Sequence, residues 1–191
     1  MTENDRHKWN TRYRQKKHTP PVRPIVQRFH DLASKGTALD LAAGLGSNAL
    51  FLAQQGFRVL AVDISDVALL PLADRHINLQ PICLDLDTWE IPTNHFDLIL
   101  NIRFLSRRFF PQIIEGLKPG GVLIAETYLI DDDRGNPSYA SDDPPPSRDY
   151  YLRPNELLRA FLPLHIVHYH EEMHPLDGEK GRSAGLVGRK Y

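Results

Sequence analysis

Ala38 to Ser65, ALDLAAGLGSNALFLAQQGFRVLAVDIS, reads as strand, small-residue turn, helix, turn, strand. The apolar run Ala38 to Ala42 carries one acid, Asp40, near its end. The turn Ala42-Ala43-Gly44-Leu45-Gly46-Ser47-Asn48 leads into a helical run, Asn48 to Gln55, closed by Gly56, a residue suited to a helix C-terminus. A second apolar run, Arg58 to Val62, meets a second acid, Asp63. This is a βαβ unit whose crossover is built to hold a ligand. Small residues let the backbone approach the ligand, and the helix start behind them presents free N–H groups. An acid at the tip of the next strand is placed to accept hydrogen bonds from ribose hydroxyls. The unit points to a nucleotide-like cofactor without saying which.

Outward from this unit the chain alternates strand and helix. Residues 1–24 are polar and basic and end in Pro20, Pro21 and Pro24. Trp9 and Tyr13, four apart, share a helix face and form either a packed amphipathic helix or a lid over a ligand. Ile25 to Ala33 has helical spacing with Gly36 as its stop. Asp66 to Ala73 is a short helix interrupted by Pro71, and Ile77 to Leu84 a strand followed by Asp85-Leu86-Asp87. Phe96 to Asn101 is a strand apolar on both faces, as parallel strands usually are. Arg103 to Leu117 is expected to be a helix bent at Pro111, and Lys118-Pro119-Gly120-Gly121 a turn before the strand Val122 to Tyr128. Asp131 to Asp149 reads as a mobile loop after a strand end. A helix from Pro154 to Phe161 and strands from His165 to Glu171 and Ser183 to Lys190 close the chain.

The pattern gives an α/β fold in one domain over residues 1–191: a mostly parallel sheet with an antiparallel last strand and helices on both faces. A formal net charge of −1 gives no global pull toward nucleic acid or membrane. One cysteine, Cys83, excludes an intrachain disulfide and fits a cytoplasmic protein. The polar N-terminus shows no signal-peptide core, and no run nears the roughly 18 apolar residues of a membrane span.

Two cofactors compete for the unit. Gly44-Leu45-Gly46-Ser47-Asn48-Ala49 fits the dinucleotide pattern G-x-G-x-x-A, and Asp63 lies nineteen residues beyond Gly44, as that pattern asks. A dehydrogenase using NAD is therefore one reading. Against it, Asp40 replaces the apolar residue that usually ends strand one, and suits a ligand ammonium or a hydrogen-bonded turn. The turn also begins two residues before Gly44, and the acids Asp85 and Asp87 follow strand three.

Together these residues resemble the class I S-adenosylmethionine-dependent methyltransferases over about residues 36–128. The loop Asp40-Leu41-Ala42-Ala43-Gly44-Leu45-Gly46 is similar to that family's D-x-G-x-G-x-G, with Ala42 in place of the first glycine. Alanine is permitted there only where the residue keeps a negative φ and the methionine part of the cofactor keeps its distance. The resemblance implies a Rossmann-like seven-stranded sheet and S-adenosyl-L-methionine as cofactor. It implies that Asp63 holds the ribose, that Ile64 lies beside the adenine, and that Asp85 and Leu86 read the adenine amino group. Asp40, Ala42, Gly44, Gly46 and Asn48 would line the loop, and Asn101 the methyl-donor side. Gly116 to Gly121 and the final strand pair match further family features. Trp9-Asn10-x-x-Tyr13 resembles the small-molecule branch near tellurite-resistance and thiopurine methyltransferases, in which this segment closes over the cofactor.

On this reading the acceptor is a small molecule, because no appended recognition domain is visible, and nucleic acid is not expected. Asn101, Arg103, Glu126 and Tyr128 lie at predicted C-terminal strand ends and are the candidates for handling the acceptor. Arg103 is suited to an anionic acceptor, and Arg107 and Arg108 to a solvated helix face. Phe104 is read as core packing. The histidines around His168 and His170 lack zinc-type spacing, so no metal is expected. A non-catalytic cofactor-binding regulator is a third reading.

Overall fold

The computed structural model describes residues 3–16, 18–130, 150–176 and 179–191. Seven strands form one sheet in the order β3-β2-β1-β4-β5-β7-β6. They are β1 (Thr37–Leu41), β2 (Arg58–Asp63), β3 (Leu79–Cys83), β4 (Phe96–Ile102), β5 (Leu117–Leu129), β6 (His165–Leu176) and β7 (Glu179–Arg189). β1 to β5 pair in parallel, and β7 inserts antiparallel between β5 and β6. The expected sheet is therefore present, with β7 as its antiparallel strand.

Among the described residues the α-helices are α1 (Glu3–Gln15), α2 (Pro24–Phe29), α3 (Ser47–Gln54), α4 (Asp66–Leu69), α5 (Phe109–Gly116) and α6 (Glu156–Ala160). The two-sided apolar strands bury their faces in two separate cores. On one face Ile25, Val26, Ala49, Leu52 and Leu69 of α2, α3 and α4 pack with Ala38, Leu98 and Val122 of the sheet. On the other, Phe109, Phe110 and Ile113 of α5 and Leu157 of α6 pack with Leu39, Ile99 and Leu123. Along β1 and from Leu98 of β4 onward, strand alternation sends the apolar side chains to one core or the other.

Local expectations change in three places. The helix after β4 starts only at Phe109, because Arg103 takes a positive φ of 56° that ends the strand without starting a helix. Pro111 then sits in the first turn of α5, where its missing N–H costs nothing, so it does not bend the helix. Lys118-Pro119-Gly120-Gly121 is a bulge within β5: pairing with β4 jumps from Phe96↔Leu117 to Leu98↔Val122. Gly120 has a φ of 78° there, and its N–H is taken by the carbonyl of Lys190. Finally, α6 starts at Glu156, after Asn155 in the left-handed region (φ 59°), rather than at Pro154. The expected loop 131–149 lies outside the described residues.

One buried ion pair ties a helix to the sheet. Arg23, just before α2, donates through Nε to Glu126 Oε1 of β5 at 2.9 Å, and Nη2 donates to the same oxygen. Both side chains are only 5% exposed. The Arg23 backbone N–H also donates to Asn48 Oδ1 at the start of α3. Removing one partner of a buried pair leaves the other charge desolvated. Glu126→Ala is therefore expected to lower stability by about 3 kcal/mol in urea unfolding, and Arg23→Met/Glu126→Leu by less than Glu126→Ala alone.

Candidate functional site

The site lies at the C-terminal ends of β1, β2 and β4, where the loop after β1 is stitched to β2. The Ala43 N–H donates to Val62 O at 2.9 Å, and the Gly44 N–H to Asp63 Oδ2 at 2.8 Å. The other Asp63 oxygen accepts the Ser65 N–H at 2.9 Å. The acid at the tip of β2 thus fixes the glycine loop and its own following turn together. Burial raises the pKa of Asp63, opposed by these backbone hydrogen bonds.

The loop turns through three left-handed residues, Ala42 (φ 52°), Gly44 (φ 54°) and Gly46 (φ 70°). Ala42 does not keep the negative φ expected of it. Its methyl packs against the core that contains Leu41 and Leu39, a contact that offsets the cost of roughly 1–2 kcal/mol for a left-handed residue with a Cβ. Gly44 and Gly46 have no such room. A Cβ at Gly44 would lie 2.6 Å from Tyr13 Oη, and one at Gly46 2.3 Å from Leu72 Cδ1.

Asp40 is buried at 2% exposure on the α3 side of β1. The Ala49 backbone N–H, in the first turn of α3, hydrogen-bonds it. Its Oδ2 has no hydrogen-bond partner. Burial first, and the charge of Asp63 second, push its pKa up to about 7. Asn101, on the adjoining strand and paired in register with Leu41, is also buried, and its Oδ1 likewise has no partner. Two acceptor oxygens are thus desolvated and unsatisfied on neighbouring strand ends, an arrangement that fits a ligand bringing hydrogen-bond donors or positive charge.

The N-terminal pattern reaches the same place. Trp9 and Tyr13 stack with ring centroids 5.8 Å apart, and Tyr13 lies on Gly44. Burial, and then the charge of Asp63, raise the Tyr13 pKa. The structure therefore brings Tyr13, Gly44, Asp63 and Asp40 together, with Trp9 stacked behind. Ile64 is buried beside them, and its carbonyl accepts a hydrogen bond from Cys83 Sγ at 3.3 Å.

Other expected site residues are already engaged. Glu126 is held by Arg23, and Asn48 Oδ1 is used by the Arg23 backbone. The Leu86 side chain is core, packed with Ile91 and Phe109, so only its backbone remains for a ligand; its carbonyl takes Arg108 Nη1 at 2.6 Å. Asp85 forms a turn, its Oδ1 accepting the Asp87 N–H at 2.8 Å. The Arg103 guanidinium lies over the Tyr128 ring at 5.6 Å, and Tyr128 meets Tyr151 edge-on. Arg107 and Arg108 are not merely a solvated face: Arg107 clasps both carboxylate oxygens of Glu156 at the start of α6. Phe104 packs against Phe109 as expected. His168 Nε2 and His170 Nδ1 lie 3.1 Å apart, and among the described residues no group of three or more His, Cys, Asp or Glu is placed to hold a metal. Ser65 and Arg23 were missed. Ser65 has a sequence signal, a serine three residues before Ala68 at a helix start, and its Oγ caps the Ala68 N–H.

Residues 38–121 match the methyltransferase domain family. No curated protein matches the chain. TehB from Haemophilus influenzae is similar in structure, with TM-score 0.73 and 20% identity over 96% of this chain and 67% of that one. An S-adenosylmethionine-dependent methyltransferase from Mesorhizobium loti follows at TM-score 0.68 and 19% identity, over 87% of this chain and 96% of that one. The Burkholderia thailandensis 1,6-didemethyltoxoflavin-N1-methyltransferase, solved with 1,6-didemethyltoxoflavin and S-adenosylhomocysteine, gives TM-score 0.68 and 18% identity over 98% and 84% of the two chains. At these identities the likeness is one of fold. Residues 38–121 thus carry the match to a methyltransferase domain, and the whole sheet has the fold of these solved methyltransferases. Among the described residues, no helix is long and apolar enough to cross a membrane.

The raised Asp40 pKa has a consequence for stability. A folded pKa near 7, against 3.8 unfolded, gives stability that is fully present below about pH 4 and is lost as pH rises through about 7. Between those values the slope approaches about 1.4 kcal/mol per pH unit. Urea unfolding of the ligand-free protein at pH 5, 6, 7 and 8 should show this decline, and Asp40→Asn should flatten it.

Proposed function

We propose that the chain, acting as one cytoplasmic domain over residues 1–191 with 1–24 as a cap, transfers a methyl group from S-adenosylmethionine to a small-molecule acceptor by in-line displacement. The observation that carries this reading is Asp40. In a dinucleotide site the first turn of the crossover helix offers its N–H groups to a pyrophosphate. Here a buried carboxylate already takes the Ala49 N–H, and it stands close enough to Asp63 for the two charges to interact. A dianionic pyrophosphate would be repelled there, whereas a ligand carrying an ammonium and a sulfonium would relieve the unsatisfied Asp40 Oδ2.

Asp63 would accept from the ribose hydroxyls while still holding Gly44, since each carboxylate oxygen has two lone pairs. Gly44 and Gly46 would give the ligand a backbone wall without Cβ atoms, with Ala42 opening the turn. Ile64 and the backbone around Asp85 and Leu86 would border the adenine. Tyr13 and Trp9 would cover the ligand from α1. Asn101 Oδ1 would face the methyl-donor side from β4. Arg103 and Tyr128 would meet the acceptor at the ends of β4 and β5.

A bound sulfonium supplies an already electrophilic methyl group, so the protein's work is alignment and exclusion of water. The engagement of Glu126 by Arg23 agrees with a site that needs no carboxylate base from β5. A small acceptor is supported by the B. thailandensis enzyme, which has this fold and was solved with one.

Calorimetry with S-adenosylhomocysteine and with NAD tests the reading. Binding of the first and none of the second is expected, and binding of NAD alone would overturn it. Asp63→Asn, which keeps the size but loses the charge, should weaken S-adenosylhomocysteine by roughly 1.5–3 kcal/mol, as for hydrogen bonds to a charged group. An unchanged affinity would place the ribose elsewhere.

A further inference from the structure

Helix α1 has no fully buried residue, yet it sets the partly buried Tyr13 down on Gly44. A helix without a fully buried apolar face relies on directional contacts for its register. The side chain of Asn10 supplies two of them. Its Nδ2 donates to Asp66 Oδ1 at 2.7 Å, and its Oδ1 accepts from Ser65 Oγ at 2.6 Å. The orientation of the amide follows from chemistry, since the Asp66 carboxylate only accepts and must meet the NH2 group. Ser65 is fully buried, and its N–H donates to Asp63 Oδ1. The bonds form a closed circuit: Asn10 to Ser65, Ser65 to Asp63, Asp63 to Gly44, and Gly44 under Tyr13, one helical turn beyond Asn10.

We propose that Asn10 is a positioning residue whose amide docks α1 on Ser65 and Asp66, and so registers Tyr13 over the Gly44–Asp63 cradle. The cofactor part of this inference rests on the function proposed above. Asn10 touches no reacting atom; it acts through Tyr13 and through the turn that fixes Asp63. Opening of α1 would expose the loop, and re-docking would be scored by whether the amide finds its two partners again.

The test uses the full chain with S-adenosylhomocysteine as probe. Hydrogen exchange by mass spectrometry reads the amides of residues 3–15, and stopped-flow displacement reads the dissociation rate. In Asn10→Ala, exchange over 3–15 should rise about tenfold, with the sheet amides unchanged, and dissociation should quicken by about tenfold, as for the loss of two such bonds. Asn10→Asp should be worse than Asn10→Ala, because it sets a carboxylate against Asp66. Asn10→Asp/Asp66→Asn exchanges amide and carboxylate across the same contact and should recover most of the loss; a merely structural role for position 10 would show no such rescue. Unchanged exchange over 3–15 in Asn10→Ala overturns the docking role. Raised exchange with unchanged dissociation overturns the link to the cofactor. If the unmutated chain fails to bind S-adenosylhomocysteine, the proposed function falls, while the exchange and rescue results still decide the role of Asn10.

Discussion

The site hangs on one carboxylate. Asp63 ends β2 buried, and a buried charge is retained only where polar groups replace the water it has lost. Its replacements are the backbone N–H groups of Gly44 and Ser65. That requirement positions much else. The N–H of Gly44 can reach the acid only if the chain turns back after β1 through left-handed residues, and this conformation excludes a side chain beneath Tyr13. The N–H of Ser65 can reach it only if the chain turns immediately after β2, which starts α4 and brings Ser65 and Asp66 to face α1. A single desolvated group therefore sets the loop, the next helix and the landing point of the N-terminal segment.

A second constraint acts from the opposite end of the loop. Arg23 grips Glu126 with its guanidinium and Asn48 with its backbone N–H, so the residue before α2 joins β5 to the start of α3. The pair holds the Glu126 carboxylate of β5 in a fixed place. Such a pair contributes little net stability beside an apolar alternative of similar volume. What it does is join elements far apart in sequence behind the loop that must stay rigid. Rigidity at that position is what alignment-driven catalysis demands, where small misplacements of the reacting groups cost rate.

The parts legible in the sequence were those where local pattern and global fold agree. The period-two apolar runs and the acids Asp40 and Asp63 located the strand ends, and Trp9 and Tyr13 were placed on one face by their spacing alone. The parts that were not legible are decided by tertiary partners. Lys118-Pro119-Gly120-Gly121 has the chemistry of a turn, and it does turn, but pairing on both sides continues the strand around it, which only the neighbours β4 and β7 determine. Ala42 adopts a backbone that the residue type disfavours, because Asp63 dictates where Gly44 must be and the alanine methyl finds core contacts. Leu86 and Glu126 stand at the expected positions with their side chains committed elsewhere, one to the core and one to Arg23. Spacing fixes the place of a residue along the chain, and what its side chain is free to do depends on residues tens of positions away.

The electrostatics of the loop argue for a cationic ligand more strongly than the glycine pattern does. Asp40 and Asp63 are both buried, the charge of Asp63 adds to the cost of ionising Asp40, and Asp40 Oδ2 meets no donor. A protein without a use for that arrangement would be more stable with an apolar residue at position 40, like those before and after it on β1, because an unsatisfied buried carboxyl is costly whether it is charged or neutral. The cost becomes useful when a ligand brings positive charge to the strand ends, since each unit by which the carboxyl pKa then falls returns about 1.4 kcal/mol to binding. The cost that the buried acid imposes on the loop and the affinity it lends a cationic ligand are in this view the same quantity, and the same quantity discriminates against a pyrophosphate.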